Sequence, residues 1–174
     1  MVSSLDDLEI IRINGRVYEA FSTSGGLGTL CETLEGKVDT LNYKTIRYPG
    51  HAKAMKFLLY DLRLKNDIKL LNDILTNALP IVDEDIVLVY AAVEGTKDGK
   101  LARKEFSESY SKVSLNGIDW RAISWTTACS ISAVVDMVSE GKLATKGFIK
   151  PEDIDWDYLI QSDFGSMYEK YKNK

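Results

Sequence analysis

The chain has 174 residues, 45% of them hydrophobic and 28% charged, and a formal net charge of −4. That length suits one compact domain with its own core, and the composition excludes both a disordered chain and a coiled coil. The acidic balance argues against nucleic-acid binding, which needs a basic face, and no apolar run approaches the roughly 20 residues of a membrane span.

In chain order, Leu8 to Ile13 and Arg16 to Phe21 are β-rich runs joined by Asn14-Gly15, a dipeptide suited to a tight hairpin turn. Thr29 to Glu35 reads as a short helix closed by Gly36, and Val38 to Tyr48 as a long β run ended by Pro49-Gly50. His51 to Leu62 carries Ala52, Met55, Leu59 and Leu62 at helical spacing, which predicts a helix lying on a sheet. Asp67 to Leu79 repeats the pattern with Ile68, Leu71, Ile74, Leu75 and Ala78. Ile86 to Val93 is continuously apolar, which predicts a central strand buried on both faces.

With Leu101 to Val113 and Ile118 to Thr127, that strand makes a predicted antiparallel meander in which Trp120 and Trp125 serve sheet packing or an interface. Ala128 to Glu140 then reads as a helix with Ile131, Val134, Val135 and Val138 on its core face, a preceding Thr126 or Thr127 as cap, and Gly141 beyond its end. Pro151 opens a last short helix that includes Trp156, Tyr158 and Leu159. Strands and helices come in blocks, so the expected fold class is α+β: a mixed, largely antiparallel sheet with helices packed on one face, and no Rossmann domain.

Chemistry-bearing residues are sparse. Cys31 and Cys129 are far apart, His51 is the single histidine, and no Cys-x-x-Cys occurs, so neither a disulfide framework nor a zinc site is indicated. No Gly-x-Ser-x-Gly elbow is present, which argues against a self-contained hydrolase. The stretch FSTSGGLGTLCETLEG has the punctuation of a phosphate loop, but Gly26-Leu27-Gly28-Thr29-Leu30 is followed by Cys31 where a dinucleotide fingerprint needs its third glycine. Two readings of it stay open. Its glycines turn the backbone and bring it close to a neighbour, or Thr23, Ser24 and the amides ahead of Thr29 bind an anion at a helix N-terminus.

The runs AFSTSGGLGTLCETLEGKVDTLNYKTIRYPGHAKAMKFLL, DIVLVYAAVEG, WRAISWTTACSISAVVDMVSEGKL and GFIKPEDI closely resemble the C-terminal domain of the saccharopine dehydrogenase family, from about Asp7 onward. The resemblance implies an NAD(P)-dependent oxidoreductase acting on C–N bonds in lysine metabolism, whose N-terminal Rossmann domain binds NAD or NADP. The present domain would cover the nicotinamide, help bind an amino-acid substrate and contribute to a homodimer in the cytoplasm. Relatives in that family act on lysine or on carboxylated polyamines. The Rossmann half is absent from this sequence, so the chain alone is expected to bind no cofactor, hold no catalytic residue and be inactive. A stand-alone ligand-binding or assembly domain is the alternative.

The substrate-binding residues expected within the matched motifs are Arg47, Tyr48, His51, Thr23 and Ser24. Arg47 offers a planar fork to a substrate carboxylate, against a structural ion pair as the alternative. His51, in the first turn of a helix, should have its neutral imidazole favoured by the positive dipole end. Tyr43 and Tyr48 alternate with apolar neighbours, so at least one is expected to pack in the core.

Overall fold

Strands β1 (Glu9–Ile13) and β2 (Arg16–Phe21) pair antiparallel, with Ile13 opposite Arg16 across the turn. Asn14 and Gly15 both take positive φ there, as the two-residue hairpin requires. The computed structural model describes residues 3–23 and 25–173 and divides into two units, Met1–Ile81 and Val82–Lys174. Both mix helices with small antiparallel sheets, so the fold class is α+β, and no Rossmann domain occurs among the described residues.

In the first unit a third strand, β3 (Thr45–Arg47), adds to β2 to give the order β1-β2-β3. The expected strand from Val38 is therefore only three residues long. β2 ends at Phe21 opposite Thr45, which leaves residues 38–44 without a strand to pair with. Lys44 instead points its buried ammonium at Asp7 (2.9 Å) and Glu9 (3.3 Å). Burial opposes its charge, but the hydrogen bonds that the ammonium donates to those carboxylates outweigh burial and raise its pKa.

Helix α1 (Leu30–Leu34) is short and ends just before Gly36. Helix α2 (His51–Lys56) then runs into a π-helical turn, Phe57–Asp61. Ala52, Met55 and Leu59 pack with Leu5 and Phe21 as the stripe predicts, whereas Leu62 is half exposed. Its amide bonds back to Phe57, one residue further than in an α-helix, and that extra residue rotates Leu62 off the stripe. Helix α3 (Ile68–Ala78) is capped by the Asp67 carboxylate on the amide of Leu70 and buries Leu71, while Ile68 stays exposed.

The second unit opens with β4 (Ile86–Lys97) and β5 (Lys100–Ser111), a twelve-residue antiparallel hairpin. The expectation of a buried central strand fails here: the two strands form a sheet of their own, and Val89 and Val93 are exposed. A continuous apolar run does not by itself say how many neighbours the strand has. Strands β6 (Val113–Leu115) and β7 (Ile118–Trp120) form a separate two-stranded ribbon in place of the expected meander.

Chain direction changes at Arg121, where helix α4 (Ala122–Ser139) begins six residues earlier than the sequence predicts. The Asp85 carboxylate accepts from the amides of Ala122 (2.5 Å) and Ile123 (2.9 Å), and this distant cap converts the β-prone ISWTT into helix. Thr126 is accordingly no cap; its hydroxyl donates to the Ala122 carbonyl one turn back. Trp125, Cys129, Ala133 and Met137 form the buried face, and the expected core residues Ile131 and Val135 lie outside.

Trp125 packs edge-on against Tyr110 at 5.5 Å and donates from Nε1 to the Ser111 carbonyl at 2.9 Å, so it is core and not an interface residue of a sheet. Helix α5 (Trp156–Gln161) follows a 3-10 turn at Pro151–Asp153, and a helix not expected from the sequence, α6 (Ser166–Tyr171), brings Met167, Tyr168 and Tyr171 onto the Trp125 cluster. By length and apolar composition α4 falls within the range of a membrane span, which qualifies the expectation of no such run. A third of it is buried inside the protein, and core helices meet the same criterion.

Candidate functional site

Three of the expected site residues lie at the entry to α2. Alternation along β2 puts Glu19 and Phe21 on one face and Tyr18 and Ala20 on the other. The α2 helix covers the first face, since Ala52 packs on Phe21. In register, Glu19 sits opposite Arg47 and Phe21 opposite Thr45.

His51 stacks on Phe21 with ring centroids 5.8 Å apart and an interplanar angle of 13°. Contact with that ring removes water from one side of an otherwise exposed imidazole and holds its pKa below 6.5. The neighbouring Arg47 charge adds to the depression and Glu19 opposes it. The neutral imidazole expected from the sequence is therefore favoured, through packing and Arg47. Arg47 is exposed, donates from Nη1 to the Ile46 carbonyl at 2.8 Å, and meets no carboxylate at ion-pair distance among the described residues.

Tyr48 follows the opposite face: it stacks on Tyr18 at 5.8 Å and is more than half exposed. The structure thus separates it from the Arg47–His51 pair. Thr23 hydrogen-bonds the Thr45 hydroxyl at 2.8 Å, which ties the glycine segment to β3. Ser24 lies outside the described residues. Gly25 approaches the ring of Tyr43 so closely that a Cβ there would meet it at 2.8 Å. Of the two readings of the glycine stretch, close approach to a neighbour is the one with a contact behind it.

The residue that sequence reasoning missed is Glu19. Only 6% of it is accessible, under a thin cover of the exposed residues 49–51. Its carboxylate accepts from the amides of Gly50 at 2.5 Å and Ala52 at 3.0 Å. Hydrogen bonds from Ala52 and Gly50, in that order, hold its pKa below 4.5, against the effect of burial. Helix α2 has no side-chain cap of its own, and Gly50 at φ 97° turns the chain into it. A glutamate within VYEAF, between a tyrosine and an alanine on a strand, was the available signal: a charge on the inward phase of an apolar strand needs a partner.

The second unit has a cleft lined by Asp136, Glu140, Tyr158, Gln161, Ser162 and Asp163. Its three carboxylates give it the wrong sign for an acidic ligand, and Tyr158 already donates to Glu140. The α2 entry is the better candidate for a carboxylate.

The saccharopine dehydrogenase C-terminal domain model matches residues 3–170, nearly the whole chain. The chain belongs to that family. The match runs through both units, so the α2 entry and the Trp125 core both fall within the matched residues. No solved structure matches the chain.

Proposed function

We propose that this chain is the C-terminal, substrate-facing and dimer-forming domain of an NAD(P)-dependent oxidoreductase that acts on C–N bonds of an amino-acid substrate of the saccharopine class. The observation that carries the reading is the α2 entry, where an exposed guanidinium with no carboxylate at ion-pair distance among the described residues acts on an imidazole with a depressed pKa, both on the strand–turn–helix of the family motif TIRYPGH. Arg47 presents a donor fork for a substrate carboxylate, and His51 accepts or donates a hydrogen bond close to neutral pH. Thr23 and Tyr48 belong at most to the rim of this wall, given their contacts with Thr45 and Tyr18.

Hydride transfer needs a nicotinamide, which in this reading is bound by an N-terminal Rossmann domain, so the described residues supply binding and orientation while the redox chemistry comes with the cofactor. A cytoplasmic location goes with that reading. Arg47→Ala in the complete enzyme tests it: the KM for substrate is expected to rise at least tenfold with kcat changed much less, the pattern of lost carboxylate binding. An unchanged KM removes Arg47 from the wall.

A further inference from the structure

We propose that Glu19 is the positioning residue of this site: by accepting the amides of Gly50 and Ala52 it fixes the Pro49-Gly50 turn and so sets His51 against Phe21 with Arg47 alongside. The proposal rests on the carboxylate-site reading for its purpose, and on geometry for its content. Two stretches of chain far apart in sequence meet at one carboxylate: Glu19 comes from β2, and the two amides from the turn that follows its cross-strand neighbour Arg47 and carries His51.

The physical logic follows from what an open helix end needs. The first amides of α2 have no partner inside the helix, and the residue before it, Gly50, offers no side chain to cap them. A carboxylate from the neighbouring strand fills that place with both oxygens, one per amide. Glycine at φ 97° contributes no rotamer or Cβ that would fix the turn, so the direction of His51 is held by this pair of bonds and the ring contact to Phe21, beside the turn's own bonds from the His51 amide to the Tyr48 carbonyl at 3.4 Å and from the Ala54 amide to the Gly50 carbonyl at 3.0 Å. Among the described residues, the charged groups that act on His51 are Glu19 from β2 and Arg47 from β3.

The test uses the fact that the chain has a single histidine. In the untagged 174-residue protein the Hε1 proton of His51 is the sole imidazole signal of its kind, and stacking on Phe21 displaces it by ring current. Glu19→Gln, which keeps the size but loses the charge and one acceptor, is expected to return that signal to the unstacked position. Asp85→Asn, which weakens the equivalent cap of α4 by the same change of charge and one acceptor, is expected to leave it in place. A folded Glu19→Gln protein with an unmoved His51 signal overturns the proposal.

Should the variant fail to fold, the unmodified protein carries the test. On acidification below pH 4.5, the amides of Gly50 and Ala52 and the ring proton of His51 should respond together with one midpoint. Independent midpoints, or a flat ring signal, refute the positioning role. None of these readouts uses a substrate, so the carboxylate-site reading stands or falls separately by the KM of Arg47→Ala.

Discussion

Glu19 shows how a residue can be legible in type and illegible in role. Sequence points to Arg47 and His51 because cations and imidazoles are familiar ligand groups, and it passes over a glutamate in a strand because its partners are backbone amides 31 and 33 residues away. One of the two sequence readings of the glycine stretch puts an anion from a ligand ahead of α1; the structure provides a carboxylate at the start of α2, from the chain itself. Glu19→Ala leaves two shielded amides without acceptors, and we expect a loss of about 2 kcal/mol in stability by chemical denaturation. The pH dependence follows the same bonds. A carboxylate with a depressed folded pKa stabilises fully above its unfolded value of 4.5, and that contribution is lost as pH falls through the lower folded value. His51, also depressed, resists protonation in the folded state and removes stability as pH falls below 6.5. Stability should therefore decline on acidification below pH 6.5 and further below pH 4.5, and Glu19→Ala should reduce the lower decline. Gly165 is the other single-residue constraint: a Cβ there would lie 1.8 Å from the Leu159 carbonyl oxygen, a backbone atom that cannot swing aside. Gly165→Ala is expected to cost about 3 kcal/mol or more, read as a lowered denaturation midpoint with an unchanged slope.

Among the elements, helices and hairpins with strong local signals were legible: the Asn14-Gly15 turn, the capped α3, and the Ala52/Met55/Leu59 stripe all stand where the sequence puts them. Elements that depend on remote partners were not. The long strand expected from Val38 shrinks to Thr45–Arg47 because its neighbour ends, and the strand expected at Ile118 to Thr127 turns into α4 because Asp85 caps it. Helix α4 also turns a different face inward than its β-branched stripe suggests. The small Ala133 and Cys129, with Trp125 and Met137, pack more closely than Ile131 and Val135. If the Asp85 cap decides helix over strand, Asp85→Ala should cost about 1 to 2 kcal/mol and loosen the first turn of α4. Amide hydrogen exchange at residues 122–126 should rise while the Glu19-capped α2 stays protected. Uniform protection through α4 in the variant would show that packing of Trp125 alone fixes the helix start.

Taken as a whole molecule, the chain carries apolar surface that its own packing does not use. Ile123, Ile131 and Val135 on α4 are each about 60% exposed, and Val93, Leu101 and Phe106 project from the β4–β5 hairpin, whose base packs through Val87 and Tyr110 on the Trp125 cluster. Exposed apolar surface of this kind favours a cover. A second copy of the chain is the cover that the dimer reading requires, and sedimentation is expected to show a dimer at micromolar concentration; a monomer at all accessible concentrations would remove dimerisation from the proposal. The family could be read from sequence because TIRYPGH and its neighbours are long and unusual, and the family match across residues 3–170 agrees with that reading. The substrate and cofactor belong to the proposal, and one measurement addresses them together. NAD(P)H turnover should be followed with saccharopine, lysine and carboxynorspermidine, for this chain alone and for the complete enzyme with its cofactor-binding domain. The account predicts turnover of one of these substrates by the complete enzyme and none by the chain alone. Turnover by the chain alone, or silence of the complete enzyme on all three, would contradict it.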